Sequence, residues 1–260
     1  MDRARPPDDE DQFARIAPHY DALMANVPYG LWASYIGQLA LLAGRPIWPG
    51  SKLLDLATGT GPVALEFAER GCDVTAIDLS PAMIAEAQRK AAEQGTDVLF
   101  LCRDLADFNL PPDFDHAVCL YDSLNYVIDP DKLKQAFANT RRALKPGGIF
   151  VFDVNTVRAL EEDLFTQNSR PGAPVAYQWK STYHPGTRLS RIKMEFCIPA
   201  TNEQFTIIHR QRAYTDAELH SYLFHAGFAP VACYEAYRVS PPSPDSDRVF
   251  YVATAAGEAR

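Results

Sequence analysis

The 260-residue sequence predicts an open, doubly wound α/β fold, a mostly parallel sheet finished by antiparallel C-terminal strands and carrying an inserted antiparallel β meander. Three observations predict it. From 52 to 153, short apolar runs alternate with helical periodicity, the pattern of parallel strands joined by right-handed helical crossovers. The first run ends in a glycine turn, Leu-Leu-Asp-Leu-Ala-Thr-Gly-Thr-Gly-Pro-Val-Ala at 53–64, which reads as strand, tight loop and helix. After about Thr156 the apolar period changes to two, with Pro185-Gly186 as a turn, as in a meander.

Taken in order, 1–10 is charged and proline-bearing and is expected to be a disordered tail. It lacks the apolar segment of a signal peptide, so a cytoplasmic protein is expected. Residues 11–48 are read as a helical cap. Phe13, Ile16, Tyr20, Leu23, Leu31, Trp32 and Ile36 recur at helical spacing, and interruptions at Pro18 and Pro28-Tyr29-Gly30 divide them into two or three short helices. The α/β domain then occupies 49–260. Strands are expected at 52–56, 73–77, 98–101, 116–121 and 149–153, with helices after the glycine turn to Arg70, over 81–94 and over 131–144. Ser80-Pro81 supplies a cap and a first-turn proline, and Lys145-Pro146-Gly147-Gly148 stops a helix. The inserted lid is placed at about 174–214, with strands at 175–184, 189–198 and 203–214. Thr215 and Glu218 form a capping box for a helix over 215–226, and strands at 231–238 and 248–254 complete the sheet.

An apolar fraction of 47% with 22% charged residues is ordinary for a globular chain, and no apolar run approaches the roughly 18 residues of a membrane span. A net charge of −8 argues against a phosphate backbone as partner, which calls for clustered Lys and Arg. Arg141, Arg142 and Lys145 are the compact basic run and are read as complementing a helix dipole. The 5 cysteines are odd in number and lack Cys-x-x-Cys spacing, so they are read as reduced, buried thiols, with neither a disulfide framework nor a zinc site. Oligomeric state has no signature here.

Gly59 and Gly61 allow positive φ and let a ligand lie against the loop, and Pro62 suits a first helical position. Gly59-x-Gly61-x-x-Ala64 followed by Asp78 also satisfies the dinucleotide fingerprint, so the loop alone indicates a nucleoside without saying which. Asp55, Asp78 and Asp104 fall at the ends of successive strands, which border one crevice in such a sheet. Three converging acids suit a ligand bearing hydroxyls, an amine and an adenine edge.

With these residues in view, the sequence resembles the class I methyltransferases that use S-adenosyl-L-methionine. Leu-Asp-Leu-Ala-Thr-Gly-Thr-Gly at 54–61, Ala-Ile-Asp-Leu-Ser at 76–80, Cys-Arg-Asp-Leu at 102–105, Phe-Asp-His-Ala-Val-Cys-Leu at 114–120 and Leu-Lys-Pro-Gly-Gly-Ile-Phe at 144–150 resemble the family's five motifs in register. The resemblance implies a Rossmann-like seven-stranded sheet and a methyl-transfer activity on a small molecule at N or O. It implies that Ala57 and Gly59 lie beneath the methionine part of the cofactor, Asp55 near its ammonium and Asp78 on its ribose. Leu79 and Met83 are then close by, Asp104 and Leu105 stand around adenine, and Leu120 forms the floor. Ala57 departs from the family's usual first glycine.

The segment at 13–24 resembles the N-terminal helix of small-molecule methyltransferases, including amino-sugar N-methyltransferases, which implies that Tyr20 closes over the sulfonium. Tyr29 and Trp32 join it as cofactor-binding candidates. Those enzymes carry a histidine after the fourth strand. Asn125 takes its place here and is the catalytic candidate at that position. In-line displacement needs mainly positioning, and a base matters where the acceptor must lose a proton. His209, beside Arg210 on the third meander strand, is the first candidate, and His19 competes. Tyr121, Tyr126 and Trp179 are further aromatic candidates, and Asp122 a possible anchor for an acceptor cation. No metal ligand is assigned. Two other readings stay open on the residues: an NAD(P)-dependent oxidoreductase and a nucleoside-binding, non-catalytic protein.

Overall fold

The computed structural model of the protein describes residues 13–257; the expected tail at 1–10 lies outside them. Helix α1 (Ala17–Leu23) carries Pro18 in its first turn, where the missing N–H has no role. Helix α2 (Tyr29–Leu42) starts behind Pro28 and runs unbroken through Gly30. Both prolines therefore mark helix starts rather than interruptions.

Strand β1 (Lys52–Leu56) leads through the glycine turn into α3 (Pro62–Glu69), and β2 (Asp73–Asp78) into α4 (Pro81–Gln94). Ser80 caps α4 by accepting from Met83 N at 3.2 Å. There follow β3 (Val98–Cys102), β4 (Phe114–Cys119), a 3-10 turn at Ser123–Tyr126, α5 (Pro130–Ala143), β5 (Leu144–Asn155) and α6 (Val157–Glu161). Strand β5 begins well before the expected 149. Leu144 pairs with Phe114 and Ile149 with His116, so the Lys-Pro-Gly-Gly segment is a bulge within the strand, with Gly147 at φ 77°.

A second sheet comprises β6 (Gln167–Asn168), β7 (Ala176–His184), β8 (Leu189–Ile198) and β9 (Glu203–Arg212), all antiparallel. The two-residue β6 was not expected, since two residues carry no period. Helix α7 (Asp216–His225) has the full Thr215/Glu218 capping box. Strands β10 (Phe228–Glu235) and β11 (Arg248–Ala255) then close the main sheet, whose order is β10-β11-β5-β4-β1-β2-β3. Its first five strands pair in parallel, and β11 and β10 join through antiparallel pairings, as predicted.

The two faces of this sheet carry two apolar cores. One packs Trp32, Ile36, Leu39, Phe67 and Ile84 of α2, α3 and α4, and the other Leu133, Phe137, Leu219 and Leu223 of α5 and α7. A third core joins Ile192, Met194, Phe196, Phe205 and Ile207 on one face of the second sheet to Ile16, Ala17 and Met83. This packing sets the second sheet against α1 and the start of α4. No described helix is long and apolar enough to cross a membrane.

Arg141 and Arg142 do stand in the last turn of α5, so one surface expectation is extended and one, on the cysteines, is corrected. Arg141 Nε donates to Gly227 O at 3.1 Å, Arg142 Nη2 to Asn139 Oδ1 at 2.8 Å, and Lys145 pairs with Asp115 at 2.8 Å, so these cations have specific partners beyond a helix dipole. Cys72 and Cys119 are buried, but Cys102 is exposed and Cys197 and Cys233 are half-buried.

Candidate active site

Strand order reverses between β1 and β4, the place where an open α/β sheet leaves a crevice beyond its carboxyl ends. A cavity of about 510 Å³ lies there. Its floor is the main sheet, and its other walls come from α1, α2 and the inner face of the second sheet.

Tyr20, Tyr29, Trp32, Asp55, Ala57, Gly59, Asp78, Leu79, Met83, Asp104, Leu105, Leu120 and His209 all line this cavity. The three strand-end carboxylates therefore share one space. Asp78 is held by its own loop: Oδ2 accepts from Gly59 N at 2.7 Å and Oδ1 from Ser80 N at 2.9 Å. Asp55 is buried and accepts from Thr58 Oγ1 at 2.6 Å. Burial pushes its carboxyl up to about 7, with the charge of Asp78 adding to the effect. Asp104 Oδ1 accepts from Ala106 N at 2.8 Å, which fixes the carboxylate at the end of β3.

The turn between β1 and α3 is left-handed at Ala57 (φ 55°), Gly59 (58°) and Gly61 (80°). Ala57 pays a steric penalty that a glycine avoids, and the neighbouring contacts retain it. A Cβ built on Gly61 approaches Ala87 Cβ at 3.0 Å, so this glycine lets α4 pack close. A Cβ on Gly59 meets nothing within 4 Å, and the residue lines the cavity. The loop thus leaves a backbone-walled cradle next to three carboxylates, which fits the hydroxyls, amine and ammonium of S-adenosylmethionine.

The other half of the cavity is aromatic and apolar. Tyr29 meets Trp32 edge-on at 5.6 Å, and Trp32 lies 5.4 Å from Tyr121. Ile192, Met194 and Ile207 of the second sheet face them. His209 is buried, packs on Phe13 at 4.6 Å, and shares a hydrogen bond of 3.2 Å between Nδ1 and the Tyr126 hydroxyl. Burial raises the Tyr20 and Tyr126 phenols well above their ordinary range, so both stay neutral.

Three sequence candidates, Asn125, Arg210 and His19, are not brought into the cavity. Asn125 does not line the cavity. It is fully buried, its amide donates to Asn155 O (3.2 Å) and Arg212 O (3.0 Å), and its oxygen accepts from Asn155 N (2.9 Å), so the side chain is consumed in fastening β5 to β9. Arg210 does not accompany His209 into the site, because alternate residues of β9 face opposite ways and Arg210 is exposed. His19 likewise lies outside the cavity lining, whereas Trp179 is part of it.

Sequence reasoning missed a buried charge network. Tyr121 and Asp122 both have positive φ (65° and 50°), and their amides donate to Asp153 at 2.7 and 3.0 Å. Arg248 bridges Asp122 at 2.6 Å and Asp153, while Gln211 Nε2 donates to Asp122 Oδ2 at 2.5 Å. The two carboxylates push the Arg248 guanidinium further up, and it stays charged. Asp122 is therefore already paired, and it ties the strained turn after β4 to the second sheet. No spacing signal announces this network. Phe205, Ile207, His209 and Gln211 all lie on the buried face of β9.

The comparisons with known proteins agree with this geometry. A methyltransferase domain model matches residues 53–148. The Bacillus subtilis protein YqeM, whose name assigns it to the methyltransferases, is 32% identical over 244 residues, spanning 92% of this chain and 95% of its own. A crystal structure of an S-adenosylmethionine-dependent methyltransferase from Clostridium acetobutylicum superimposes with TM-score 0.82 at 28% identity, covering 94% of this chain and 99% of that one. The S-adenosylmethionine-bound amino pentose methyltransferase CalS10 of Micromonospora echinaspora shares the fold at TM-score 0.68 and 21% identity, with 92% and 95% coverage. Fold and cavity together define a Rossmann-like methyltransferase. The chain belongs to the class I S-adenosylmethionine-dependent methyltransferases, and S-adenosyl-L-methionine is its cofactor. The glycine turn is accordingly that family's first motif, and the oxidoreductase reading falls.

Proposed function

We propose that the enzyme methylates a nitrogen or oxygen of a small molecule with an apolar body, using His209 as the base. The observation that carries this reading is the His209–Tyr126 pair, buried in the wall of the same cavity that holds Asp55, Asp78 and Asp104. When bound, S-adenosylmethionine supplies an electrophilic methyl group. Asp78 holds its ribose, Asp104 and Leu105 its adenine, and Asp55 its ammonium, over the turn through Ala57 and Gly59. Leu79, Met83 and Leu120 pack beside them.

Tyr20, Tyr29 and Trp32 exclude water and face the cationic centre, each good cation–π contact contributing roughly 0.5–2 kcal/mol. With Nδ1–H donating to the Tyr126 oxygen, His209 Nε2 carries the lone pair that takes the acceptor's N–H or O–H proton as its new bond to carbon forms. In this reading residues 11–48 act as a cap and about 174–214 as a lid over the domain at 49–260. The chain's negative charge and its five free cysteines support a small-molecule enzyme of the cytoplasm.

The test uses labelled cofactor and a panel of small phenols and amines. His209→Ala should lower transfer by roughly 10²- to 10⁴-fold while S-adenosylhomocysteine affinity stays unchanged. Undiminished transfer in this variant rules out the assigned base.

A further inference from the structure

At the β10 edge of the main sheet, α7 and β10 bring together three side chains that the methyl-transfer cavity does not use. Asp216 and His220 lie one turn apart on α7, and Cys233 faces them from β10. One donor atom from each, a carboxylate oxygen, an imidazole nitrogen and a thiol sulfur, lies within 4.8 Å of the others.

The hydrogen bonds settle how these groups present themselves. His220 Nδ1 donates to the Asp216 carbonyl at 3.0 Å, and Asp216 Oδ1 lies 3.1 Å from the same nitrogen. The Nε2 lone pair is thereby turned towards Cys233, whose Sγ is 3.8 Å away. The Tyr251 hydroxyl donates to Asp216 Oδ1 at 2.9 Å, and its ring stands edge-on to His220 at 5.8 Å, so carboxylate and imidazole are both held from behind.

We propose that Asp216, His220 and Cys233 form a binding site for a zinc-type divalent cation. Zinc takes Cys sulfur at about 2.3 Å and His nitrogen at about 2.0–2.1 Å, which in tetrahedral geometry separates the two donors by about 3.6 Å. The observed 3.8 Å is close to that spacing. Mixed sulfur, nitrogen and oxygen donors select a borderline-soft metal over calcium or magnesium, which want oxygen alone. An imidazole whose other nitrogen donates to a backbone carbonyl, as His220 Nδ1 does to Asp216 O, is the usual support of a zinc-bound histidine. The cation occupies the position of the Cys233 S–H proton, which leaves to solvent as the metal–sulfur bond forms, and water completes the coordination. A metal there clips α7 to β10, the edge strand of the sheet.

The experiment titrates the reduced, full-length protein with Co²⁺ and follows thiolate-to-cobalt charge-transfer absorption, then displaces Co²⁺ with Zn²⁺. One equivalent is expected to bind. The band should vanish in Cys233→Ser, survive in Cys102→Ser, and require roughly 10- to 100-fold more metal in Asp216→Asn. As a check that needs no variant, Zn²⁺ should protect Cys233 of the wild-type protein from iodoacetamide, read by peptide mass spectrometry, and leave Cys102 reactive. Absence of the band in the wild type, its persistence in Cys233→Ser, or unprotected alkylation of Cys233 overturns the proposal.

Discussion

Replacing Asp55 with Asn should remove most of the pH dependence of S-adenosylhomocysteine binding. The Asp55 carboxyl is 2% exposed and accepts a hydrogen bond from the Thr58 hydroxyl. Burial and the nearby charge of Asp78 raise it from 3.8 to about 7, a gap corresponding to about 4 kcal/mol against the ionised form. Because the unfolded chain ionises near 3.8, this carboxyl contributes to folding stability below that pH. The contribution is lost progressively as pH rises to about 7. A ligand ammonium set against Asp55 reverses the preference and draws its ionisation down. Binding to the wild type then releases a proton, and affinity rises by up to about tenfold per pH unit towards pH 7, levelling off above it. Isothermal calorimetry between about pH 5.5 and 7.5, in two buffers of different ionisation enthalpy, measures both the slope and the proton count. The wild type should approach one proton released at about pH 6, and Asp55→Asn none. A flat wild-type profile, or an equal slope in the variant, refutes the assignment of Asp55 to the ammonium.

Three further outcomes are expected. Asp78→Ala removes the acceptor of Gly59 N and Ser80 N along with the proposed ribose contacts, and should weaken S-adenosylhomocysteine binding roughly 100-fold by calorimetry; unchanged affinity ends that assignment. Asn125→Ala deletes three buried hydrogen bonds between β5 and β9 and should cost about 2–4 kcal/mol in urea unfolding; lost activity at full stability would restore a catalytic role to this residue. Gly61→Ala places a Cβ 3.0 Å from Ala87 at φ 80° and should destabilise by about 1–3 kcal/mol. Gly59→Ala, whose Cβ enters open space, should lower cofactor affinity more than packing. The same loss in both variants for both readouts contradicts the separate roles drawn for the two glycines.

Local pattern carried much of the architecture. Apolar runs at 52–56 and 73–77 can only be buried strands when glycine turns and helical periods flank them, and the Thr215/Glu218 cap is read from two residues three apart. Asp55, Asp78 and Asp104 were legible because a parallel sheet brings the ends of its strands to one edge, so distance in sequence translates into proximity by a fixed rule. Asn125 misled because its position after β4 matches a reactive residue in similar enzymes, while its hydrogen-bond partners sit 30 and 87 residues away. Lys145-Pro146-Gly147-Gly148 marked the end of α5 but concealed the early start of β5, because turn residues also suit a bulge.

What the chain's one-dimensional order determined was the α/β alternation, the glycine turn and the three strand-end acids, all consequences of local periodicity and a topology that it repeats. Tertiary structure alone decided which face of β9 turns inward against α1, the pairing of Arg248 with Asp122 and Asp153, and the meeting of Asp216 and His220 with Cys233. These contacts join elements with no fixed spacing between them. They depend on how the two sheets and the helices of the described residues pack, and burial there favours pairing polar groups from distant parts of the chain.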